Sequence, residues 1–268
     1  SGRWEYGSKF VAVSVRSDPY FGRVYLDYRH LPPGAGQGGE AGVAMTMLRR
    51  LKAELGDGFK AVVYDGALSG VHIDELMRLG LLVVSPVTAE QAETDTTPRV
   101  EKAKRLKRHK DGSCDHDLWG VGGRIHERLV LGDGTEHYLP LTHRLVRRGS
   151  AGQYRWYHLV TIPCQHGDHR EVSVALYVTD EDKKKQLNRP EYARQLPPGT
   201  DDYDQVYCYR PDSESGNAEA ERCFTFRRLP AYGAAKQTLV MLGFATAQNA
   251  VSRYHHRRRQ PAAPSAAA

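Results

Sequence analysis

An apolar stretch that ends in a carboxylate, FKAVVYDGALSG at residues 59–70, most constrains how this chain can fold. Its run of apolar residues at 61–64 is typical of a strand buried on both faces, and Asp65 follows directly. Gly66 and Gly70 allow a sharp backbone turn before the next helix. In an open α/β sheet, ligands bind beyond the carboxyl ends of the strands, so this position predicts a binding-site aspartate. The alternative is an aspartate that only begins a turn.

The first third of the chain predicts an α/β arrangement around this stretch. Alternating apolar residues indicate strands, apolar residues at helical spacing indicate helices, and a Pro/Gly-rich loop separates the two patterns. The expected elements are strands at residues 9–15, 23–31, 61–64 and 81–87, a turn at residues 17–19, a loop at residues 32–39, and helices at residues 40–55 and 71–79. Their order predicts one mixed sheet that begins with an antiparallel pair and becomes parallel through right-handed crossovers.

The middle of the chain changes to an all-β pattern. Residues 118–178 carry short runs of β-forming residues that are separated by turn residues. The expected strands cover residues 125–131, 136–143, 154–162 and 172–178. Aromatic side chains crowd the third of these strands, and a half-buried sheet accounts for them without contacts to nucleic-acid bases.

A basic run precedes this β region. Residues 99–110 carry seven Lys or Arg against one Glu, and the net charge of the chain is +6. Such a run forms either a solvated basic helix or loop, or a surface that contacts DNA phosphates. For the second alternative, the candidate residues are Lys102, Lys104, Arg105, Lys107 and Arg108.

Composition excludes several classes of protein. The chain has 268 residues, of which 40% are hydrophobic, and this is ample for the core of one or two domains. It has no apolar run long enough to cross a membrane. Four cysteines are too few for a secreted disulfide scaffold, which favours a reducing cytoplasm. The chain starts without an initiator methionine, so we expect it to be cut from something longer.

Two helices are predicted in the last third of the chain, at residues 202–220 and 231–253. In the second helix, small and apolar residues at helical spacing predict a packing stripe. Its members are Leu239, Leu242, Gly243, Ala247 and Ala250. The basic residues at 255–259 and the Pro/Ala/Ser tail are predicted to be disordered.

The first of these helices contains the pattern Tyr207-x2-Arg210-x3-Glu214. At helical spacing these residues share one face, which would place a carboxylate beside a guanidinium and a phenol. Phosphodiester chemistry needs such a set, because Mg²⁺ takes oxygen ligands and the phosphate oxygens need donors. The alternative is an intrahelical salt bridge with a packed tyrosine. Pro211 suits the first turn of a helix, and a helix that begins there would separate the three residues.

Two matching Cys-x-His pairs flank the β region. The first pair is Cys114 and His116, and the second is Cys164 and His166, with His169 nearby. Thiolate and imidazole suit tetrahedral Zn²⁺, so the two pairs are candidate ligands of a structural zinc ion. Paired zinc ligands usually have two to four residues between them, whereas these pairs have one. Unliganded cysteines with surface histidines are therefore the alternative.

The pattern at 207–214, together with a strand-terminal Asp65 and a β-rich insertion between them, resembles the cut-and-paste insertion-sequence transposases of the DDE type. The stretches WEYGSKFV at residues 4–11 and VVYDGALSGVH at residues 62–72 are similar to members of that group, as is the terminal helix that ends in basic residues. The resemblance spans nearly the whole chain. It implies a ribonuclease-H-like core, that is, an α/β fold with a mixed sheet and flanking helices that an all-β insertion interrupts.

The resemblance also implies a division of the chain. The catalytic core would comprise residues 1–95 and 196–256, and residues 96–195 would hold the basic segment and the β-rich insertion. Residues 257–268 would form a disordered tail.

Roles for individual residues follow from the same resemblance. Asp65 matches the second catalytic carboxylate and Glu214 the third, while Tyr207 and Arg210 match residues on the phosphate side of the site. Such enzymes bind two Mg²⁺ (or Mn²⁺) ions about 3.5–4 Å apart, and they cleave and transfer DNA strands at insertion-sequence ends. The implied partner is double-stranded DNA, both transposon ends and target, with a homodimer on DNA as a further expectation. The implied location is the bacterial cytoplasm, at the nucleoid.

The chain departs from the family pattern at two points. The family signature continues to a lysine where this chain has Glu221. The first catalytic aspartate belongs on a strand before the antiparallel pair, and neither Asp18 in the turn nor Asp27 in the second strand is a natural substitute. We therefore expect the family core without its first strand, and weak or no nuclease activity from this chain alone. These departures favour an alternative function, that of an inactive transposase remnant or a domesticated DNA-binding module. An α/β binding domain unrelated to DNA is the third alternative.

Overall fold

A computed structural model describes residues 8–16, 21–31, 39–94, 97–112, 114–149, 153–164, 170–224 and 228–260. The chain is a mixed α/β protein with several sheets, and it divides into two compact units. The first unit contains residues 1–54 and 211–268, and the second contains residues 55–210. Within the described ranges, no helix is long and apolar enough to cross a membrane. The predicted turn at 17–19, which contains Asp18, and most of the predicted loop at 32–39 lie outside these ranges.

The helices and strands follow in chain order. They are β1 (Lys9–Arg16), β2 (Arg23–Leu31), α1 (Gly39–Leu55), β3 (Ala61–Val63), α2 (Gly70–Arg78), β4 (Leu82–Val84), β5 (Ala103–Asp111), β6 (Cys114–Val121), β7 (Arg124–Val130), β8 (Glu136–Pro140), β9 (Thr142–Arg148), β10 (Arg155–Ile162), β11 (Arg170–Ala175), α3 (Asp180–Lys184), α4 (Asp201–Tyr207), α5 (Pro211–Cys223) and α6 (Ala234–Arg259). Two short 3₁₀ turns, Gly56–Gly58 and Arg189–Glu191, complete the set.

The first unit is built on the antiparallel pair of β1 and β2, against which α6 packs. Both strands and α1 confirm the elements predicted from apolar spacing. Asn249 of α6 joins the helix to β2, because it accepts from Tyr25 N at 2.7 Å and donates to Tyr25 O at 2.8 Å. Asp27 lies within β2 and pairs with Arg50 of α1 at 2.8 Å. The apolar core of the unit contains Tyr25, Tyr28, Ala220, Met241, Phe244 and Ala245.

The packing stripe predicted on α6 was wrong, because all five of its residues are exposed. The exposed fraction is 71% for Leu239 and 43% for Leu242. The opposite face is buried, where Met241 and Phe244 pack in the tyrosine-rich core. These larger side chains remove more apolar area from water than glycine and alanine would. The helix also continues to Arg259, so the predicted disorder of residues 255–259 was wrong as well.

Arg23 of β2 anchors the first turn of α5. Its guanidinium donates to the Asp212 carboxylate at 2.6 and 2.8 Å, and it pairs with Glu219 at 3.2 Å. Arg16 pairs with the same Asp212 carboxylate. Burial acts to raise the pKa of Asp212, but the hydrogen bonds from Arg23 and Arg16 outweigh burial and hold this pKa below its ordinary value. The helix that carries Glu214 is therefore fixed to the strand pair of its own unit.

The second unit begins with a parallel pair, β3 and β4, connected by α2. These two strands form a sheet of their own and do not extend the β1–β2 pair, so the prediction of one mixed sheet was wrong. Each strand has only three residues, which limits it to one short ladder. In β3 only Val62 is buried, whereas Ala61 is exposed and Val63 is half-buried. Because successive side chains of a strand point to opposite faces, β3 is fully buried on one face only, and the expected burial on both faces was wrong.

The remainder of the second unit is β-rich, as predicted for residues 118–178. It forms a four-stranded sheet in the order β5-β6-β7-β8 and a three-stranded sheet in the order β11-β10-β9, with antiparallel pairing throughout. The basic run, for which a helix or loop was one alternative, instead forms much of the edge strand β5, which pairs antiparallel with β6 with an irregularity between Arg105 and Lys107. The strand predicted at 136–143 is split at Leu141, which is buried and follows Pro140, a residue without a backbone donor.

Candidate functional site

Asp65 lies immediately beyond the carboxyl end of β3. Hydrogen bonding with β4 continues to Tyr64, whose N–H donates to Val84 O at 3.0 Å. Asp65 Oδ1 then accepts from Ala67 N at 3.0 Å, which closes an Asx-type turn. Ser69 caps the following helix, α2, in a capping box with His72. The local sequence thus folds as strand, turn and capped helix, and the aspartate stands at the turn.

The second carboxylate oxygen of Asp65 faces Arg210. Arg210 Nη2 lies 3.7 Å from Asp65 Oδ2, and the exposed fractions of the two side chains are 28% and 41%. Arg210 sits in the turn after α4, where its N–H donates to Tyr207 O at 2.9 Å. An ion pair this open to solvent contributes only about 0–1 kcal/mol to stability. Its two groups can therefore exchange partners at little cost.

Tyr207, the last residue of α4, packs against another tyrosine. Its ring stacks on Tyr203 with a centroid distance of 4.9 Å, and Tyr203 is buried. Thr200 caps α4 by accepting from Tyr203 N. Burial raises the pKa of Tyr203 to about 12, so its hydroxyl stays protonated. These contacts agree with the packed tyrosine that the sequence left as an alternative.

Glu214 lies in the first turn of α5, in the first unit, and is exposed. The predicted continuous helix over 202–220 was wrong, because α4 ends at Tyr207 and α5 starts at Pro211. Proline lacks an N–H and fits the first helical position, so the chain breaks there. Arg210 lies between the two helices, so the three signature residues do not share one helical face.

The five basic residues proposed to contact DNA lie on or next to β5, and four of them have partners within the second unit. Lys102 pairs with Glu191 at 3.9 Å, and Arg105 pairs with Asp117 at 3.8 Å. Lys107 Nζ donates to Ser173 O at 2.8 Å, and Arg108 Nε donates to Asp115 at 2.8 Å. Lys104 is exposed. Internal pairing reduces the charge that this strand offers to a polyanion.

Three of the four candidate zinc ligands come together in the second unit. The ligand atoms of Cys114, His116 and Cys164 all lie within 4.8 Å of one another. Cys114 and His116 are alternate residues of β6 and therefore project from the same face of the strand. Cys164 follows β10 by two residues. His166 and His169 lie outside the described residues.

A buried carboxylate supports this cluster. His116 Nδ1 lies 2.6 Å from Glu127 Oε1, and both side chains are buried. Burial acts to lower the pKa of His116, but hydrogen bonds to Glu127 and Cys164 outweigh burial and raise it. With Nδ1 committed to the carboxylate, Nε2 is the nitrogen that remains for a metal ion. The two thiols and the imidazole form a group that could hold a metal ion.

Sequence reasoning missed Glu127. The signal was present in β7, where Ile125 and Glu127 occupy the buried positions of an alternating strand. A glutamate at an inward position is rarely stable without a partner. An inward-facing glutamate in a strand next to a Cys-x-His pair is therefore a candidate hydrogen-bond partner for the histidine of that pair.

Comparisons with protein-family models, with curated proteins and with solved structures found no match to this chain.

Proposed function

We propose that this chain is the catalytic core of a DDE-type insertion-sequence transposase that cleaves and transfers DNA strands with Mg²⁺ or Mn²⁺. The observation that carries the proposal is the approach of Arg210 to Asp65 at 3.7 Å. The two residues are distant in sequence, and the resemblance assigns both of them to one phosphodiester site. Asp65 stands at the end of a strand, where an α/β fold positions its ligands.

The chemistry follows from the two groups. A carboxylate is the oxygen ligand that Mg²⁺ prefers, and a guanidinium can neutralise the scissile phosphate. In the ion pair each group balances the other, and the pair is exposed enough to open when a cation and a phosphate arrive. In this proposal Asp65 and Glu214 are metal ligands, Arg210 binds the phosphate, and Tyr207 positions Arg210 through the turn that they share.

A DNA-binding module without catalysis is the second candidate. Glu221 favours it, because the catalytic family signature has a lysine at this position and this chain does not. In either case the proposed partner is double-stranded DNA, at transposon ends and target, with a homodimer on DNA and a location at the bacterial nucleoid.

Plasmid nicking separates the two candidates. With Mg²⁺, the transposase candidate predicts that supercoiled DNA is nicked and that Asp65→Asn lowers the rate by ~100-fold or more, because a metal ligand is lost. Glu93→Gln, which changes an exposed carboxylate in the same unit, is the control and should leave the rate unchanged. Nicking that survives Asp65→Asn contradicts the proposed site. DNA binding without nicking in the wild-type protein supports the binding module instead.

We further propose that the ion held by Cys114, His116 and Cys164 is Zn²⁺. Two thiolates and an imidazole are soft and borderline ligands, which select zinc over the oxygen-binding cations Mg²⁺ and Ca²⁺. This ion is separate from the magnesium chemistry, and its role is to stabilise the β-rich part of the second unit.

A further inference from the structure

We infer that Glu127 is a positioning residue for this zinc ion, and that the ion fastens the two large β-sheets of the second unit to each other. The inference rests on the zinc proposal and adds the residue that orients its histidine ligand and the elements that the ion connects. It is independent of the chemistry proposed for Asp65.

The ligands come from both sheets. Cys114 and His116 belong to β6, an inner strand of the four-stranded sheet, whereas Cys164 lies two residues beyond the end of β10, the middle strand of the three-stranded sheet. Other described links between these sheets are the chain itself, which runs from β8 through Leu141 into β9, a hydrogen bond from Leu141 N to Ile125 O of β7 at 3.0 Å, and one from Lys107 Nζ of β5 to Ser173 O of β11 at 2.8 Å. Zinc–thiolate bonds to Cys114 and Cys164 would add a metal cross-link to these.

The chain between the ligands is long. The rest of β6 and the whole of β7 to β10 lie between Cys114 and Cys164, so the unfolded chain seldom brings the two thiols together. Because the ligands are assembled only in the folded state, the free energy of binding becomes stability of the fold.

Glu127 has the position of a carboxylate that hydrogen-bonds to a metal-bound histidine without binding the metal itself. Metal-bound histidines usually donate their second ring N–H to a carboxylate, which fixes the tautomer and the ring orientation. The 2.6 Å contact between His116 Nδ1 and Glu127 Oε1 has this arrangement, and Glu127 is 5% exposed. A purely structural His–Glu pair would not require two thiols close to the imidazole, yet the ligand atoms of Cys114 and Cys164 lie within 4.8 Å of that of His116.

Metal analysis and chelator competition test the inference on the full chain. We expect one zinc per chain as purified, and a zinc affinity that Glu127→Gln lowers by ~10–100-fold. Glu127→Asp, which keeps the carboxylate, should recover part of that affinity. Glu136→Gln is the matched control, since Glu136 pairs with Arg128 on the same sheet and does not contact His116. Cys208→Ser, at an exposed cysteine, is the control for Cys164→Ser, which should abolish tight binding.

Two readouts report on the metal itself rather than on folding. The absorption of the Co²⁺-substituted protein should show thiolate charge transfer, and its ligand-field bands should shift in Glu127→Gln if the imidazole is reoriented. Chelation should lower the melting temperature of the wild-type protein by about 5 °C or more.

The outcomes are distinguishable. No stoichiometric zinc, or a Cys114–Cys164 disulfide in its place, overturns both the zinc proposal and this inference. Zinc bound equally tightly by wild type and Glu127→Gln, with identical Co²⁺ spectra, overturns the role of Glu127 alone. Zinc binding without any change in melting temperature on chelation overturns the cross-link. None of these results bears on the nicking assay.

Discussion

Replacing Asp182 by alanine is expected to lower the free energy of unfolding by about 3–5 kcal/mol, because the buried guanidinium of Arg189 loses its carboxylate partner. Arg189 binds Asp182 in a two-point contact, with Nε and Nη2 donating at 2.7 and 2.8 Å, and the exposed fractions of the two side chains are 7% and 3%. Asp182 also accepts from Thr179 N at 2.9 Å in the capping box of α3. The same guanidinium donates to Leu106 O of β5 at 3.1 Å, so the pair joins the four-stranded sheet to the segment that follows β11.

Urea unfolding monitored by tryptophan fluorescence measures this loss, since Trp119 and Trp156 both lie in the second unit. Asp180→Ala is the matched control: its side chain is 91% exposed and pairs with Lys183, which is exposed too, so the change should stay within about 0.5 kcal/mol. Equal small losses in the two variants would show that the buried pair is not a main support of the unit.

Acid should destabilise the second unit well above the pH at which its carboxylates protonate. His158 is fully buried in β10, and burial lowers its pKa to about 3. His143 stacks on it at 4.1 Å, and burial also lowers the pKa of His143. The unfolded chain binds a proton at His158 below about pH 6.5, whereas the folded chain does not until about pH 3. The stability that the neutral, buried His158 contributes to the folded state is therefore present in full above about pH 6.5. It is lost as the pH falls below that value, so the free energy of unfolding decreases.

Between pH 7 and 4.5, the unequal proton binding of the folded and unfolded chain at His158 lowers the free energy of unfolding by about 2–3 kcal/mol. His158→Gln should flatten the dependence by that amount, because an amide can still donate to Gln195 O, the partner of His158 Nε2 at 3.0 Å, but does not titrate. His137→Gln, at an exposed histidine of β8, is the control and should leave the slope unchanged. The measurement is urea unfolding at several pH values. Parallel stability curves for wild type and His158→Gln would contradict the account.

Periodicity predicted the local elements well where one pattern dominates. β1, β2 and α1 lie where apolar spacing put them, since these segments have a single apolar face. On α6 the same reasoning failed, because small residues line the face away from the core while Met241 and Phe244 fill it. Periodicity identifies two faces of such a helix, but the partner decides which is buried.

The candidate site needed information that only the tertiary structure holds. The sequence offered Cys114 and His116 as candidate ligands, but their place on one face of β6, a strand that was not predicted, and the approach of Cys164 are seen only in the tertiary structure. Glu127 was invisible as a partner because its strand, β7, pairs with β6 through a register that the sequence does not state. In the Tyr207–Glu214 pattern, the break at Pro211 and the packed tyrosine were both indicated by the sequence as alternatives.

Titration with Mn²⁺, followed by electron paramagnetic resonance, tests the proposed phosphodiester site most directly. If Asp65 and Glu214 bind one cluster of cations, each of Asp65→Asn and Glu214→Gln should weaken Mn²⁺ binding by about tenfold or more, and the double variant should lose much less than the sum of the two losses. Unchanged Mn²⁺ affinity in both single variants, or two fully additive losses, would contradict the assignment of these acids to a common metal site.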